Sequence, residues 1–292
     1  MKNIGFRAHD LGKFSNFCSL ANEVSQFRSE AFIHLAIQKA LQNPPKTKDY
    51  TAEYFVSARE DLAQKGARIA VLGCYINPVH PDPAIRDEQL SNFEHCLRLS
   101  KEIGCLMVGT ETGSLQPNCS YDLGTSEPQV LTTFYHSIER LLKTAEEYKA
   151  TIGIEAVSRQ HTISTVARMA KLVETFDSPY LKIIYDPINL VPWTGIPEED
   201  GTARAVPSKQ AQKAYFCEAL DAFGDKIGVL HVKDYRLNDQ GWKIGDLPVG
   251  TGVLDWEGLN RELEKRNISV PWLLENIDVT TLRQTLLNLD TF

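Results

Sequence analysis

Eight short apolar runs, separated by longer stretches of helical periodicity, constrain this chain more than any other feature. The runs are IGFRAH (4–9), FIHLA (32–36), ARIAVLGCYI (67–76), CLMVGTET (105–112), TIGIEAV (151–157), LKIIYDP (181–187), IGVLHVKD (227–234) and WLLENI (272–277). Near-continuous apolar runs suit strands covered on both faces, as in parallel sheets. Between them, TAEYFVSAREDLAQKG and PQVLTTFYHSIERLLKTAEEYKA repeat apolar residues at three- and four-residue spacing, the mark of an amphipathic helix. Ser126-Glu127-Pro128 predicts the start of the second helix, and Gly66 the end of the first. FIHLA is the least strand-like run, because a helix through IQKALQN could absorb it. Eight strands alternating with helices, and no internal linker, predict the α/β class and a single (β/α)8 TIM barrel over residues 1–292. A doubly wound sheet fits less well. LGKFSNF follows the first run, and it holds no G-x-G-x-x-G phosphate loop.

Barrel active sites sit at the C-terminal ends of the strands, so the residues that end the runs carry the information. The fifth run ends in Glu155, the sixth in Asp186, the seventh in His231 and the eighth in Glu275. Side chains alternate along a strand. Glu155 therefore shares its face with Gly153, Asp186 with Ile184, Glu275 with Leu273, and His231 with Val229 and Lys233. Taken singly, each has a plainer reading: a strand-end acid caps a helix, and a lone histidine belongs to the core. At matched positions on four consecutive strands, the plain readings must all hold together. Three carboxylates and an imidazole in a dry pocket are better explained by one divalent cation, with open positions left for substrate oxygens.

The segments YINPVHPD (75–82), GTETGS (109–114), GIEAVSRQHT (153–162), YDPINL (185–190), HVKDY (231–235), DLPVGTGVLDW (246–256) and LLENI span nearly the whole chain. In their order and spacing the chain resembles the xylose-isomerase-like TIM barrels of sugar and sugar-phosphate isomerases and epimerases. That family holds a metal with Glu, Asp, His and Glu from its last four strands, which the resemblance carries onto Glu155, Asp186, His231 and Glu275. It also implies paired catalytic roles for Glu155 and Glu275, on opposite sides of the metal. One removes a proton next to a carbonyl, a metal-stabilised enediolate forms, and the other returns the proton. Several relatives carry histidine three residues after the aspartate, where this chain has Asn189. Asparagine hydrogen-bonds but carries no proton at neutral pH. A metal-dependent dehydratase or lyase on a keto-polyol or inositol derivative is the alternative, because it uses the same first step.

Around these residues the expected substrate shell comprises Lys233, Asn189, Glu111, His80, His161, Asp234 and Trp193. His9 is a further candidate. Asp234 has the opposite parity to Lys233, so it either positions its neighbours or caps the turn. The cofactor implied is one divalent ion, Mn²⁺ first, with Mg²⁺, Co²⁺ or Zn²⁺ compatible.

Composition narrows the partners. A net charge of −7 and no run of more than two consecutive basic residues argue against nucleic acid. The related three-zinc endonucleases of abasic sites use several histidines. This chain has seven, of which His34, His95 and His136 fall on a predicted strand or helices. No run is long enough to span a membrane, and MKNIGFRAHD is not a signal peptide. Six cysteines without a C-x-x-C pair read as reduced thiols. The expectation is a cytoplasmic protein with a small carbohydrate substrate. A homo-oligomer is compatible with the sequence.

Overall fold

A computed structural model describes residues 3–290; the outermost two residues at each end of the expected 1–292 domain lie outside the described residues. In chain order the strands are β1 (Ile4–Arg7), β2 (Ala31–Leu35), β3 (Ala67–Gly73), β4 (Met107–Glu111), β5 (Ile152–Glu155), β6 (Leu181–Tyr185), β7 (Ile227–Val232), β8 (Asp234–Leu237), β9 (Lys243–Leu247) and β10 (Trp272–Leu274). Eight close into a parallel barrel in the order β1-β10-β7-β6-β5-β4-β3-β2, a (β/α)8 TIM barrel. Every apolar run supplies a barrel strand, FIHLA included. The remaining two, β8 and β9, form an antiparallel hairpin that the sequence did not announce.

The helices are α1 (Phe17–Phe27), α2 (Ile37–Ala40), α3 (Ala52–Ala63), α4 (Pro83–Arg98), α5 (Ser100–Ile103), α6 (Pro128–Tyr148), α7 (Val166–Phe176), α8 (Pro187–Leu190), α9 (Lys209–Phe223), α10 (Trp256–Lys265) and α11 (Leu282–Leu289). The α6 helix starts at Pro128 as predicted, since proline has no N–H to leave unpaired in the first turn. Thr51 caps α3 by accepting from the Tyr54 N–H. That helix stops at Ala63, short of Gly66. Gly66 instead makes the turn into β3, at φ +73° with its carbonyl accepting from Ala31 N of the neighbouring β2; a Cβ there would lie 2.0 Å from Ser29 O. Among the described residues no helix is long and apolar enough to cross a membrane.

The core has two parts. Between strands and helices lies the larger one, with Phe6, Ile33, Phe55, Phe93, Phe134 and Phe216 fully buried. Inside the barrel a smaller plug is made by Ala70, Val71, Met107, Ile184, Val229 and Leu273. Two register shifts set which residues point inward. One lies between Ile33 and His34 against β3, the other between Ile183 and Ile184 against β7. Each adds a residue on one strand, which re-aims the side chains above it.

Candidate metal centre and cavity

Above the apolar plug, the same inward-facing positions turn polar. Gly153 is followed two residues later by Glu155, Ile184 by Asp186, Val229 by His231 and Leu273 by Glu275. All four polar residues are buried, His231 completely. His231 Nδ1 lies 3.2 Å from Glu155 Oε2 and 3.3 Å from Glu275 Oε1, yet neither oxygen is aligned for a hydrogen bond. Asp186 Oδ2 is also buried without an aligned hydrogen bond, although Lys233 Nζ stands 2.9 Å away. The other oxygen, Asp186 Oδ1, caps α8 by accepting from Asn189 N.

Charge is dense here. Burial disfavours the His231 imidazolium, but Glu275 and Glu155 outweigh it and raise its pKa to about 9. Burial pushes the Glu275 carboxyl up, and His231, Lys233 and Arg7 together pull it well below the usual range. The Asp186 carboxyl stays raised, because burial there exceeds the help from Lys233. Lys233 Nζ stands within 3.2 Å of Asp186, Asp246 and Glu275, and these carboxylates hold its ammonium charged despite burial.

These residues fit a divalent ion. Ligand atoms of Glu155, Asp186 and His231 lie within 4.8 Å of one another, as do those of His34, His231 and Glu275. The donor set is rich in carboxylate oxygen with one imidazole nitrogen, the preference of Mn²⁺, Mg²⁺ and related ions. Two of its atoms, His231 Nδ1 and Asp186 Oδ2, are buried and lack any other hydrogen-bond partner.

A cavity of about 400 Å³ opens above, in the range of small-ligand sites. Glu155, Glu275, Lys233, Asn189, Glu111, His161 and His9 all line it. Asn189 Nδ2 donates to Glu155 Oε1 at 2.6 Å, so the asparagine holds a carboxylate in place. Burial raises the Glu111 carboxyl and pushes His161 down to about 4, leaving a neutral imidazole 3.6 Å from Glu111.

Three expected shell residues lie outside the cavity lining. Asp234 accepts from the backbone N–H groups of Tyr235, Gly250 and Leu254, and so pins the 250–254 loop. His80 Nδ1 accepts from Asp82 N at the start of α4. Trp193 donates through Nε1 to Ser158 O. Each is near a strand end in sequence, but its hydrogen bonds turn it toward backbone.

Sequence reasoning missed several residues. Arg7, Lys39, Tyr75, Gln160, Asp246 and Asn276 line the cavity, and His34 lies behind it. Arg7 Nη1 stands 3.2 Å from Glu275 Oε1 while its other nitrogens hold Asp10 and Asn276. Asp246 reaches in from β9. Arg7 and His34 carried a usable signal, since each lies two residues past an inward-facing position, Gly5 or Phe32.

Among solved structures, the fold matches 3-keto-D-glucoside 4-epimerase from E. coli in its apo form, with 16% identity, all of both chains covered and a TM-score of 0.66. It also matches a D-psicose 3-epimerase determined in the presence of D-fructose, at 17% identity over 94% of this chain and 84% of that one, with a TM-score of 0.67. A third match is a xylose isomerase-like TIM barrel protein from Mycobacterium smegmatis in complex with magnesium. Its identity is 17%, its coverage 98% and 92%, and its TM-score 0.66. No curated protein matches the sequence. The family described as xylose isomerase-like TIM barrel matches residues 31–287. The chain belongs to the xylose isomerase-like TIM barrel family.

Proposed function

We propose that this protein is a divalent-metal-dependent isomerase or epimerase of a sugar or sugar phosphate. One observation carries the reading: a fully buried imidazole nitrogen, His231 Nδ1, lies between two carboxylate oxygens with no hydrogen bond to either. Two of the structural matches are themselves sugar epimerases and a third was solved with magnesium, which supports it.

Glu155, Asp186, His231 and Glu275 would hold the ion, with Mn²⁺ the first choice. Such an ion would polarise a carbonyl and its adjacent hydroxyl and so acidify the C–H between them. Glu155 and Glu275 both line the cavity on either side of His231. One carboxylate takes the proton and the other supplies it. Delivery to the opposite face of the same carbon is epimerisation, and delivery to the neighbouring carbon is isomerisation. Asn189 orients Glu155 for this work through its amide. Lys233, whose charge is fixed by three carboxylates, offsets the repulsion between Asp186 and Glu275 and offers a cation to substrate oxygens.

Elemental analysis of wild type and Asp186→Ala, purified in parallel and reconstituted with each candidate ion, tests the site. About one ion per wild-type chain, lost in the variant, is the expected result; no ion in the reconstituted wild type would sink the proposal. Glu155→Gln should then stop exchange of substrate protons with D₂O across a panel of ketoses. Normal turnover in that variant removes Glu155 from the mechanism.

A further inference from the structure

His34 is a buried imidazole at the metal centre that the reading above leaves without a task. It is 1% exposed and comes from the far side of the barrel, at the end of β2. Its Nδ1 lies 3.1 Å from His231 Nε2, and the two ring planes are within 17° of parallel. Its other nitrogen, Nε2, lies 3.2 Å from the hydroxyl of Tyr75, which lines the cavity. Two features of the chain build this placement. The β2–β3 register slips between Ile33 and His34, which pairs His34 with Val71 directly above the apolar plug. Opposite stands Gly73, where a Cβ would lie 2.8 Å from His34 Nε2. Only a residue without a side chain lets the imidazole occupy that spot.

With a metal on His231 Nδ1, the hydrogen bonds admit one consistent assignment. His231 turns Nδ1 toward Glu155 and Glu275, so Nδ1 is the atom available to a metal and must be unprotonated when it binds one. The proton of neutral His231 then sits on Nε2 and is donated to His34 Nδ1. His34 carries its own proton on Nε2 and donates it to the Tyr75 oxygen. The phenol keeps its proton for the cavity.

We propose that His34 is a positioning residue that fixes the tautomer and tilt of His231 for metal binding, with Tyr75 fixing His34 in turn. This inference rests on the metal reading above and deepens it. Ligating histidines commonly hand their second N–H to an acceptor that sets ring orientation and basicity. That acceptor is usually a carboxylate or carbonyl; here it is a second imidazole. An alternative geometry puts a cation between the two rings, since His34, His231 and Glu275 also cluster. Arg7, 3.2 Å from the same Glu275 oxygen, opposes a second positive charge at that point.

The test is titration of the metal-free protein with Co²⁺, followed by calorimetry and by the visible absorption of the bound ion. Circular dichroism and thermal melts check each variant's fold. Wild type should bind one ion. His34→Leu should weaken binding about 10- to 100-fold and alter the Co²⁺ spectrum. His34→Asn, whose Oδ1 replaces the Nδ1 acceptor, should restore most of the affinity and the spectrum. Tyr75→Phe and Gly73→Ala should each weaken binding while leaving all four ligands intact. A folded His34→Leu with wild-type affinity and spectrum overturns the inference and leaves the metal reading standing. So does His34→Asn behaving like a folded His34→Leu. Two ions per wild-type chain would place a cation, not a proton, between the rings and overturn it as well. If His34→Leu does not fold, Tyr75→Phe decides, and unchanged binding there overturns the role. A wild type that binds no Co²⁺ fails at the earlier step and takes both proposals with it.

Discussion

Two layers of the barrel interior, one above the other and both drawing on β6, β7 and β10, do opposite work. The lower layer is Ala70, Val71, Met107, Ile184, Val229 and Leu273, with no charge at all. The upper one holds Arg7, His34, Glu155, Asp186, His231, Lys233 and Glu275, all but Arg7 nearly inaccessible. The lower layer stabilises by burying apolar surface, about 25 cal/mol per Å². The upper layer removes charges from water, which stabilises nothing unless each is matched. Stability and function thus separate along the strand axis within two residues, as Val229 and His231 or Leu273 and Glu275 illustrate. A divalent ion should therefore repair defects in the upper layer and be indifferent to defects in the lower.

The largest expected effect tests the upper layer. Lys233→Met takes the cation away from Asp186, Asp246 and Glu275 and leaves the buried carboxylates of Asp186 and Glu275 without it. Without metal it should lose about 3–5 kcal/mol of stability in urea unfolding. Added Mn²⁺ at about 100 times its dissociation constant contributes about 2.7 kcal/mol through binding alone. Because the variant site is more negative, its recovery should exceed that of wild type at the same ion concentration. Equal recovery in both would mean that the ion does not sense the carboxylates that Lys233 balances.

Leu273→Ala is the matching change below, two residues before Glu275 on the same inner face. It should lose about 3 kcal/mol, within the range for buried leucine truncation, with or without the ion. Metal stoichiometry in the folded protein should stay at the wild-type value. A loss of metal alongside the loss of stability would show the layers to be coupled and would break the comparison.

The same contrast explains what the sequence discloses. Barrel strands are covered on both faces, so they read as apolar runs, and all eight were visible. The β8–β9 hairpin was not, because DYRL and KIGDL form no such run and most of their residues are at least partly accessible. Carboxylates at the ends of apolar strands stand out because burying them is costly, which made Glu155, Asp186 and Glu275 legible. Arg7 and His34 stand at equivalent inward positions on β1 and β2. A basic residue or a lone histidine there reads as a snorkelling or core side chain until the partner across the barrel is known. His80, Trp193 and Asp234 lie outside the cavity lining for the opposite reason. Nearness to a strand end does not fix direction once the strand's alternation has stopped, and each turns to bond backbone.

Asn189 offers the smallest and most selective change, because its two halves serve different ligands. The backbone N–H donates to Asp186 Oδ1, and the side-chain amide donates to Glu155 Oε1. Asn189→Ala keeps the first bond and deletes the second, so Asp186 stays capped while Glu155 loses its tether. Mn²⁺ affinity by calorimetry should fall about tenfold, the low end for losing a group that orients a ligand. Asn189→Asp keeps the shape but sets a carboxylate 2.6 Å from another where an amide now donates. Its effect on Glu155 should exceed that of alanine, unless the ion itself draws the new carboxylate in. Mn²⁺ affinity separates these outcomes: repulsion alone lowers it in Asn189→Asp below Asn189→Ala, whereas a new ligand raises it above wild type. In either case the metal-free Asn189→Asp melts below Asn189→Ala. Alanine and wild type binding Mn²⁺ equally would mean that Glu155 is oriented by the metal and its neighbours alone. The asparagine at this position would then be a turn residue, and its difference from the histidine of relatives would carry no information about mechanism.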